Sequence, residues 1–199
     1  MKKVGLLIIF LAICQVALTQ EKSQKCGTWR WDVKTLTDKE GAALLSKQPV
    51  PSTIEKLVAE KAPKVLQESS PADGKTPRYP NENQVVEITA YVTDVKFEQD
   101  DHDLHFVLKS SATDSTMVAE IPDPTCPGYT GFPVIKKHFE QTRQAGELIW
   151  HTLKASNHNV KVKITGVPFW DGVHPKKPTG ASWNFREIHP ILSIEIVNQ

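Results

Sequence analysis

Residues 84–197 alternate between apolar and polar side chains in a pattern that restricts this part of the chain to a mainly β fold. The first predicted strand alternates from Val86 to Val92. Its parity then changes at Val95 and Phe97, as in a strand that a β-bulge bends around the corner of a barrel. Four further segments alternate in the same way, at residues 104–108, 117–121, 160–165 and 188–196. Five such strands are typical of a barrel that binds oligonucleotides or oligosaccharides.

A helix is predicted between the third and fourth strands, because apolar residues recur with helical spacing over residues 133–153. Pro133 suits the first turn of this helix, and Gly146 is a position where the helix could divide. The predicted fold is therefore mainly β, a five-stranded OB-like barrel with a helix between strands three and four.

Short helices are predicted ahead of the barrel. Asp38 can cap a helix over residues 39–45, and Ser52-Thr53-Ile54-Glu55 is a capping-box pattern that opens another. Residues 68–80 are rich in Ser, Pro, Gly, Asp and Lys and form the best linker candidate. The chain thus divides into a signal peptide (1–20), a short helical N-terminal extension with a linker (21–80) and the OB-like barrel domain (81–199).

The first twenty residues have the three regions of a secretory signal, namely Met1-Lys2-Lys3, the apolar run 4–13 and the small residues Ala17 and Thr19. This pattern predicts export to the periplasm or the medium. The apolar run is too short to cross a bilayer well, so no membrane span is expected after signal removal. Lipid anchoring through Cys14 is disfavoured, because bulky Ile13 stands where a small residue is expected.

Signal removal leaves two cysteines, Cys26 and Cys126. An even pair in an oxidising compartment favours a disulfide over two free thiols. The predicted bond would tie the N-terminal segment to the loop after the third strand.

The charges of the chain nearly cancel, with 24 Lys and Arg against 23 Asp and Glu and a formal net charge of +1. The basic residues are spread along the chain without a dominant block. Strong nonspecific binding of nucleic acid is therefore not expected.

A polar row is predicted on the barrel's outer face. The register that keeps the apolar rows of strands two and three together places His105 opposite Glu120, with Lys96 on the other side of His105. Such a row can orient a general base, bind a cation or form a plain cross-strand polar pair. His105, Glu120 and, on the last strand, His189 are the candidate catalytic residues.

The turn before the second strand, residues 98–103, concentrates carboxylates around a histidine, so Asp101 and Asp103 are candidate ligands of a metal such as calcium. The turn lacks the glycine and the distal glutamate of an EF-hand loop. A solvated acidic turn is the alternative interpretation.

The connection between strands four and five carries aromatic, basic and acidic residues, and in barrels of this type it is a ligand-binding loop. The candidate ligand-binding residues are Trp170, Asp171, His174, Trp183 and Arg186. Aromatic rings with interleaved Arg and His can stack on bases or sugars. The alternative is that Phe169, Trp170 and Trp183 close the barrel end while Asp171 or Glu187 pairs with Arg186.

Four segments carry a resemblance that extends over nearly the whole mature chain: residues 29–35, Asp103-Leu104-His105, the Pro-Asp-Pro-x-Cys loop within residues 119–126, and Glu187-Ile188-His189-Pro190 with the two residues after it. They resemble a family of short exported bacterial proteins with an OB-like barrel and no established activity. The resemblance supplies no catalytic assignment. The loop over residues 174–183 departs from the Gly-rich form of the family.

Two functions fit these observations. The first is an exported module that binds an unknown polar ligand, either a small molecule, an oligosaccharide or a nucleotide. The second is a metal-assisted hydrolase or nuclease that uses His105 and Glu120 with His174 or His189. The sequence has no serine nucleophile elbow, zinc-protease helix, phosphate-binding glycine loop or paired-cysteine zinc pattern, which favours the binding module. It identifies no cofactor.

Overall fold

The structure, a computed structural model, describes residues 26–27, 29–64, 76–99, 101–156, 158–172 and 179–197. The predicted signal peptide, Cys14, His174 and most of the predicted linker lie outside these residues. Over the described ranges, no helix has both the length and the apolar character needed to cross a bilayer.

Six strands form one sheet: β1 (Val50–Pro51), β2 (Val86–Phe97), β3 (Leu104–Ser110), β4 (Thr116–Ile121), β5 (Val160–Trp170) and β6 (Arg186–Ile196). Their order is β1-β2-β3-β4-β6-β5, and pairing of β2 with β5 closes the last five into a barrel. The prediction of a five-stranded OB-like barrel is therefore confirmed. The short β1, which pairs in parallel with the start of β2, was not predicted.

The strand register follows from the apolar pattern. Leu104 pairs with Ile121 and Leu108 with Met117, as predicted, so both apolar rows face the barrel interior. The pairing of β2 with β3 shifts between Val92 and Asp94, which confirms the bulge indicated by the change of parity. The bulge lets one long strand pair with both β3 and β5.

The helix α4 (Pro133–Ser156) follows β4 and precedes β5 in the sequence, and it packs against the barrel. It is continuous, so the suggested division at Gly146 is wrong. Gly146 is buried, and a Cβ atom built there would lie 2.6 Å from Ile121 Cδ1 and 3.0 Å from Leu104 Cδ2. The glycine thus permits close approach of the helix to the barrel.

The part of the N-terminal extension that the structure describes includes the short helices α1 (Trp31–Lys34), α2 (Gly41–Leu44) and α3 (Ile54–Val58). Helix α1 was not predicted. Asp38 does not cap α2, because its carboxylate binds the Arg78 guanidinium at 2.7 and 3.0 Å.

Helix α3 begins where it is predicted, but its N-cap is Thr53 and not the Ser52 of the capping-box pattern, since the Thr53 hydroxyl accepts a hydrogen bond from the Lys56 N–H at 3.2 Å. The Glu55 side chain turns to the barrel instead of completing the capping box. It accepts hydrogen bonds from the hydroxyls of Ser110 and Thr113, at the end of β3 and in the turn that follows. These bonds attach α3 to the hairpin of β3 and β4.

A disulfide joins Cys26 to Cys126, as predicted, with 5.9 Å between the Cα atoms. It closes a loop with a sequence separation of 100 and fastens the start of the extension beside the loop after β4. Restriction of the unfolded chain by such a loop contributes about 2–4 kcal/mol of stability.

We expect Gly146→Ala to lower the free energy of unfolding by up to about 2 kcal/mol. Overpacking against Ile121 costs about 1–3 kcal/mol, and the better helix propensity of alanine offsets about 1 kcal/mol of that cost. Chemical denaturation would measure the change, with Gln144→Ala on the exposed side of the same helix as the control. A variant more stable than the parent protein would contradict the close packing described here.

The hydrogen bonds from Ser110 and Thr113 lower the pKa of Glu55 from 4.5 to about 2. Because the pKa is lower in the folded state, the stabilisation is present above the unfolded value and disappears as the pH falls through the folded one. We expect Glu55→Gln to cost about 1 kcal/mol near neutral pH, since the site is partly exposed to solvent, and almost nothing near pH 2. Denaturation curves across this pH range would show it, and the exposed Glu140→Gln is the control. A difference in the free energy of unfolding between the two proteins that stays the same at all pH values would contradict this prediction.

Candidate functional site

The candidate site is a cluster of two histidines and four carboxylates on the side of the sheet that faces away from the barrel interior. His105 follows the buried Leu104 on β3, and Glu120 lies opposite His105 on β4, as predicted. The parallel pairing of Ala119 with Ile188 brings β6 to the other side of β4. Side chains alternate along a strand, so Glu187 and His189 flank Ile188 on the same side as Glu120.

Glu120 is shared between the two histidines. Its Oε1 lies 2.7 Å from His105 Nδ1, and its Oε2 lies 2.9 Å from His189 Nδ1. Glu98 Oε1 lies 3.2 Å from His105 Nδ1, and Glu187 Oε1 lies 3.2 Å from His189 Nδ1. One carboxylate thus connects two imidazoles, and each imidazole also contacts a carboxylate of its own.

Asp103 completes the cluster on the far side of His189. Its Oδ2 lies 3.2 Å from His189 Nε2, and its Oδ1 accepts a hydrogen bond from the Asp123 N–H at 3.0 Å. The Asp103 N–H in turn donates to Asp101 Oδ1 at 3.2 Å. The interpretation of this turn as merely solvated is therefore wrong for Asp103, which is completely buried.

Apart from the partly exposed Glu98, the cluster is buried although it lies outside the barrel. His105 is 2% exposed, and His189 is completely buried. The Phe169 ring lies 5.7 Å from the His189 ring, and Lys34 of α1 lies 5.5 Å from the centre of the Phe169 ring. The helix α1 therefore brings a cation close to the polar cluster.

A cavity of about 260 Å³ opens beside the cluster. Its walls include His105, five carboxylates and three basic side chains: Glu98, Asp101, Glu120, Asp171 and Glu187, with Lys34, Lys96 and Arg186. Among the described residues the carboxylates on these walls outnumber the permanently charged cations.

These carboxylates shift the pKa values of the two histidines. Burial by itself would lower the pKa of His105, but the hydrogen bond and the charge of Glu120 raise it above its ordinary value. Burial and Lys34 both act to lower the pKa of His189, yet hydrogen bonds with three carboxylates raise it well above its usual range. Burial opposes the charge on Glu120 too, but its bonds with both histidines hold its pKa well below the ordinary value. The arrangement therefore favours a charged Glu120 between two cationic rings.

The other acids of the cluster take up protons more readily. Burial raises the pKa of Asp103 to about 6, against the opposing effect of His189. Burial and the neighbouring charges of Asp171 and Glu120 raise the pKa of Glu187 to about 7. The pKa of Lys34 is raised despite its burial, because Asp171, Glu120 and Glu187 attract its charge. The site is therefore rich in negative charge and holds cations strongly.

Within the described ranges, two groups of three side chains have the geometry of metal ligands. In the outer group, Glu98, His105 and Glu120 each offer a ligand atom within 4.8 Å of the other two. Asp103, Glu120 and His189 form an inner group with the same property. Glu98 and Glu187 were not among the candidate residues from the sequence, although the alternation in Glu187-Ile188-His189 was a signal for the second of them.

Of the candidate residues of the loop between β5 and β6, Asp171 and Arg186 both line the cavity, whereas Trp170 and Trp183 do not. Trp170 is buried and donates from Nε1 to Asn81 Oδ1 at 3.0 Å. Arg186 lies over the Trp170 ring, 4.4 Å from its centre, and its Nη2 lies 2.8 Å from Glu60 Oε2. Trp183 is 70% exposed. Asp171 lies on the cavity wall, and His174 is outside the described residues.

The two interpretations of this loop therefore apply to different residues. Phe169 and Trp170 are completely buried at the end of β5, as the barrel-closing alternative expects. Trp183 is exposed and does not help to close the barrel end. The ion-pair partner of Arg186 is Glu60 from the extension, which the sequence did not suggest.

No protein-family model matches this chain, and no curated protein matches it. Among solved structures, an asparaginyl-tRNA synthetase from Entamoeba histolytica in complex with asparaginyl-adenylate is similar over 58% of this chain, with 9% identity and a TM-score of 0.33. The matched part covers 21% of that synthetase. An OBody, AM3L09, bound to hen egg-white lysozyme is similar over 58% of this chain and 83% of its own length, with 14% identity and a TM-score of 0.34.

Proposed function

We propose that this protein is an exported binding module whose ligand is a divalent transition-metal ion, held by Glu98, His105 and Glu120. The observation that carries the proposal is the position of these three side chains at the wall of a cavity, with one ligand atom of each within 4.8 Å of the others. The imidazole is already oriented by two carboxylates.

The contact distances suit a metal ion. Ligand atoms that lie about 2 Å from an ion at tetrahedral or octahedral angles are about 2.9–3.4 Å apart. His105 Nδ1 lies 3.2 Å from Glu98 and 2.7 Å from Glu120. A small widening of the second contact would admit the ion in place of a proton.

The ligand atoms favour zinc, manganese, iron or cobalt over calcium. Calcium takes six to eight oxygen ligands, whereas an imidazole nitrogen with two carboxylates suits a transition metal. His105 Nε2 is buried and has no hydrogen-bond partner among the described residues. The ring therefore has a further polar atom that nothing in the described protein satisfies.

The charge of the site supports the same ligand. Several carboxylates in a buried place require compensation, which protons on the histidines, Lys34 and, at 2.7 Å from Glu98 Oε1, Lys96 now supply. A divalent ion would compensate two carboxylates at once, and it would displace the proton from His105 because only the neutral ring can bind it.

The hydrolase hypothesis uses the same residues. The cavity beside His105 and Glu120 would accept a substrate next to the ion, but its walls are mainly acidic and would repel an anionic phosphate ester. Metal binding without turnover is therefore the function that the geometry favours.

We expect Glu98→Gln to weaken the binding of Zn²⁺ or Mn²⁺ by at least about tenfold, because the amide replaces a charged ligand. Glu98 is 32% exposed, so the fold should tolerate the change. Titration of the chelator-treated protein against a chromophoric competitor would measure the affinity. Glu195→Gln, an exposed carboxylate on β6 bound to Lys163, is the matched control. The proposal fails if the parent protein binds neither ion, or if Glu98→Gln and Glu195→Gln lose equal affinity.

Metal affinity should fall as the pH is lowered. Glu120 raises the pKa of His105, so the ring keeps its proton to higher pH than a free imidazole does, and that proton must leave before the ion binds. We expect binding to release protons and to weaken as the pH is lowered. Calorimetric titrations in buffers of different ionisation enthalpy would count the protons. Binding that does not change with pH would show that the ion does not use this imidazole.

A further inference from the structure

We propose that Lys34 is a built-in competitor of the metal ion, whose positive charge on the wall of the same cavity lowers the affinity of the site formed by Glu98, His105 and Glu120. The inference rests on the proposed function, because it assigns the residue that sets how tightly the ion is held. The site can bind metal without this effect, so the two can fail separately.

Lys34 reaches the site from outside the barrel. It is the last residue of α1, and it lines the cavity together with all three proposed ligands. Its Nζ lies 5.5 Å from the centre of the Phe169 ring, which itself lies 5.7 Å from the His189 ring. The ammonium group is therefore held beside the cluster of histidines and carboxylates.

The backbone around Lys34 is fixed by hydrogen bonds on both sides. The Lys34 N–H donates to the Arg30 carbonyl at 3.0 Å, and the buried Arg30 guanidinium donates to Glu82 at 2.9 Å. The Val33 carbonyl accepts a hydrogen bond from the Arg78 guanidinium at 2.9 Å. Helix α1 would have to break these bonds to move away when an ion binds.

The other two cations of the cavity wall are placed differently. Arg186 Nη2 lies 2.8 Å from Glu60 Oε2, so its charge is paired with a carboxylate of the extension. Lys96 Nζ lies 2.7 Å from Glu98 Oε1, but its side chain is 41% exposed and can turn to solvent. Lys34 is therefore the cation of this wall that a bound ion would oppose most directly.

The carboxylates that attract Lys34 include one that the ion needs. Burial acts to lower the pKa of Lys34, but the charges of Asp171, Glu120 and Glu187 raise it above its ordinary value, so the ammonium stays protonated at neutral pH. An ion bound by Glu120 would draw on the same negative charge. Two cations in one cavity repel each other, and water screens this repulsion less than it does at an open surface.

Removal of the ammonium would also strengthen the hold of the carboxylates on the His105 proton, which the ion must displace. The ion carries two positive charges and the displaced proton carries one, so binding still gains the attraction of one net charge. At about 8–10 Å and at the effective dielectric constant near a protein surface, one net charge corresponds to a change in affinity of at least about tenfold.

The test compares Lys34→Met, which removes the charge and keeps the length of the side chain, with Lys34→Arg, which keeps the charge. We expect Mn²⁺ to bind Lys34→Met at least about tenfold more tightly than the parent protein, and Lys34→Arg with the affinity of the parent protein. Lys163→Met removes the same charge from a more exposed position on β5, where Lys163 pairs with Glu195, and should leave the affinity unchanged. Competition against a chromophoric chelator would measure these affinities.

Unfolding in urea separates this effect from structural damage, which would weaken the fold and the site together. Without metal, Lys34→Met leaves the buried carboxylates with less compensation, so we expect a lower midpoint of unfolding than in the parent protein. Added Mn²⁺ should raise the midpoint of Lys34→Met by more than it raises that of the parent protein. This comparison applies even if the metal-free variant is only partly folded.

Unchanged or weaker binding of Mn²⁺ by Lys34→Met would overturn this inference. Equal gains in Lys34→Met and Lys34→Arg would overturn it too, because the charge would not be the cause. If Glu98→Gln still weakens binding in the same experiments, the proposed function stands. A parent protein that binds no Mn²⁺ would overturn both.

Discussion

The carboxylate of Glu120 joins three strands of the barrel, since it lies on β4 and its oxygens contact imidazoles on β3 and β6. A buried carboxylate is expensive unless cations and hydrogen-bond donors surround it. The histidines provide both, but only while they hold protons or an ion, and their own burial opposes their charge. The three other carboxylates of the cluster and Lys34 also contribute to the net charge around Glu120.

The N-terminal extension contributes Lys34 to the charges around Glu120. Its helices have four or five residues each, too few to be stable alone, so tertiary contacts must hold them. The completely buried Arg30 binds Glu82 and the carbonyl of Trp170 at 3.1 Å, and the disulfide of Cys126 fastens the start of the segment. These attachments position α1, and with it Lys34, close to the cluster. The extension is therefore part of the site and not an appendage to the barrel.

The sequence predicted the barrel and half of the cluster for the same reason. An apolar row that must face inward leaves only one register for β3 and β4, and this register places His105 beside Glu120. The contribution of β6 depends on a parallel contact with β4 recorded at one residue pair, Ala119 with Ile188, which no local pattern specifies. The approach of Lys34 to the cluster was missed because α1 is too short to leave a periodic signal. The resemblance to exported bacterial proteins stays a prediction, since no family comparison matches the chain.

Structural stability alone is a weak explanation for such a cluster. Replacing a buried set of ion pairs by well-packed apolar residues is often neutral or stabilising, so a barrel of this size would not need two histidines and four carboxylates to fold. The apolar core inside the barrel is continuous without them. The charged groups instead meet beside a cavity whose walls include Glu98, His105 and Glu120. A purely structural network needs no such opening, whereas a binding site does.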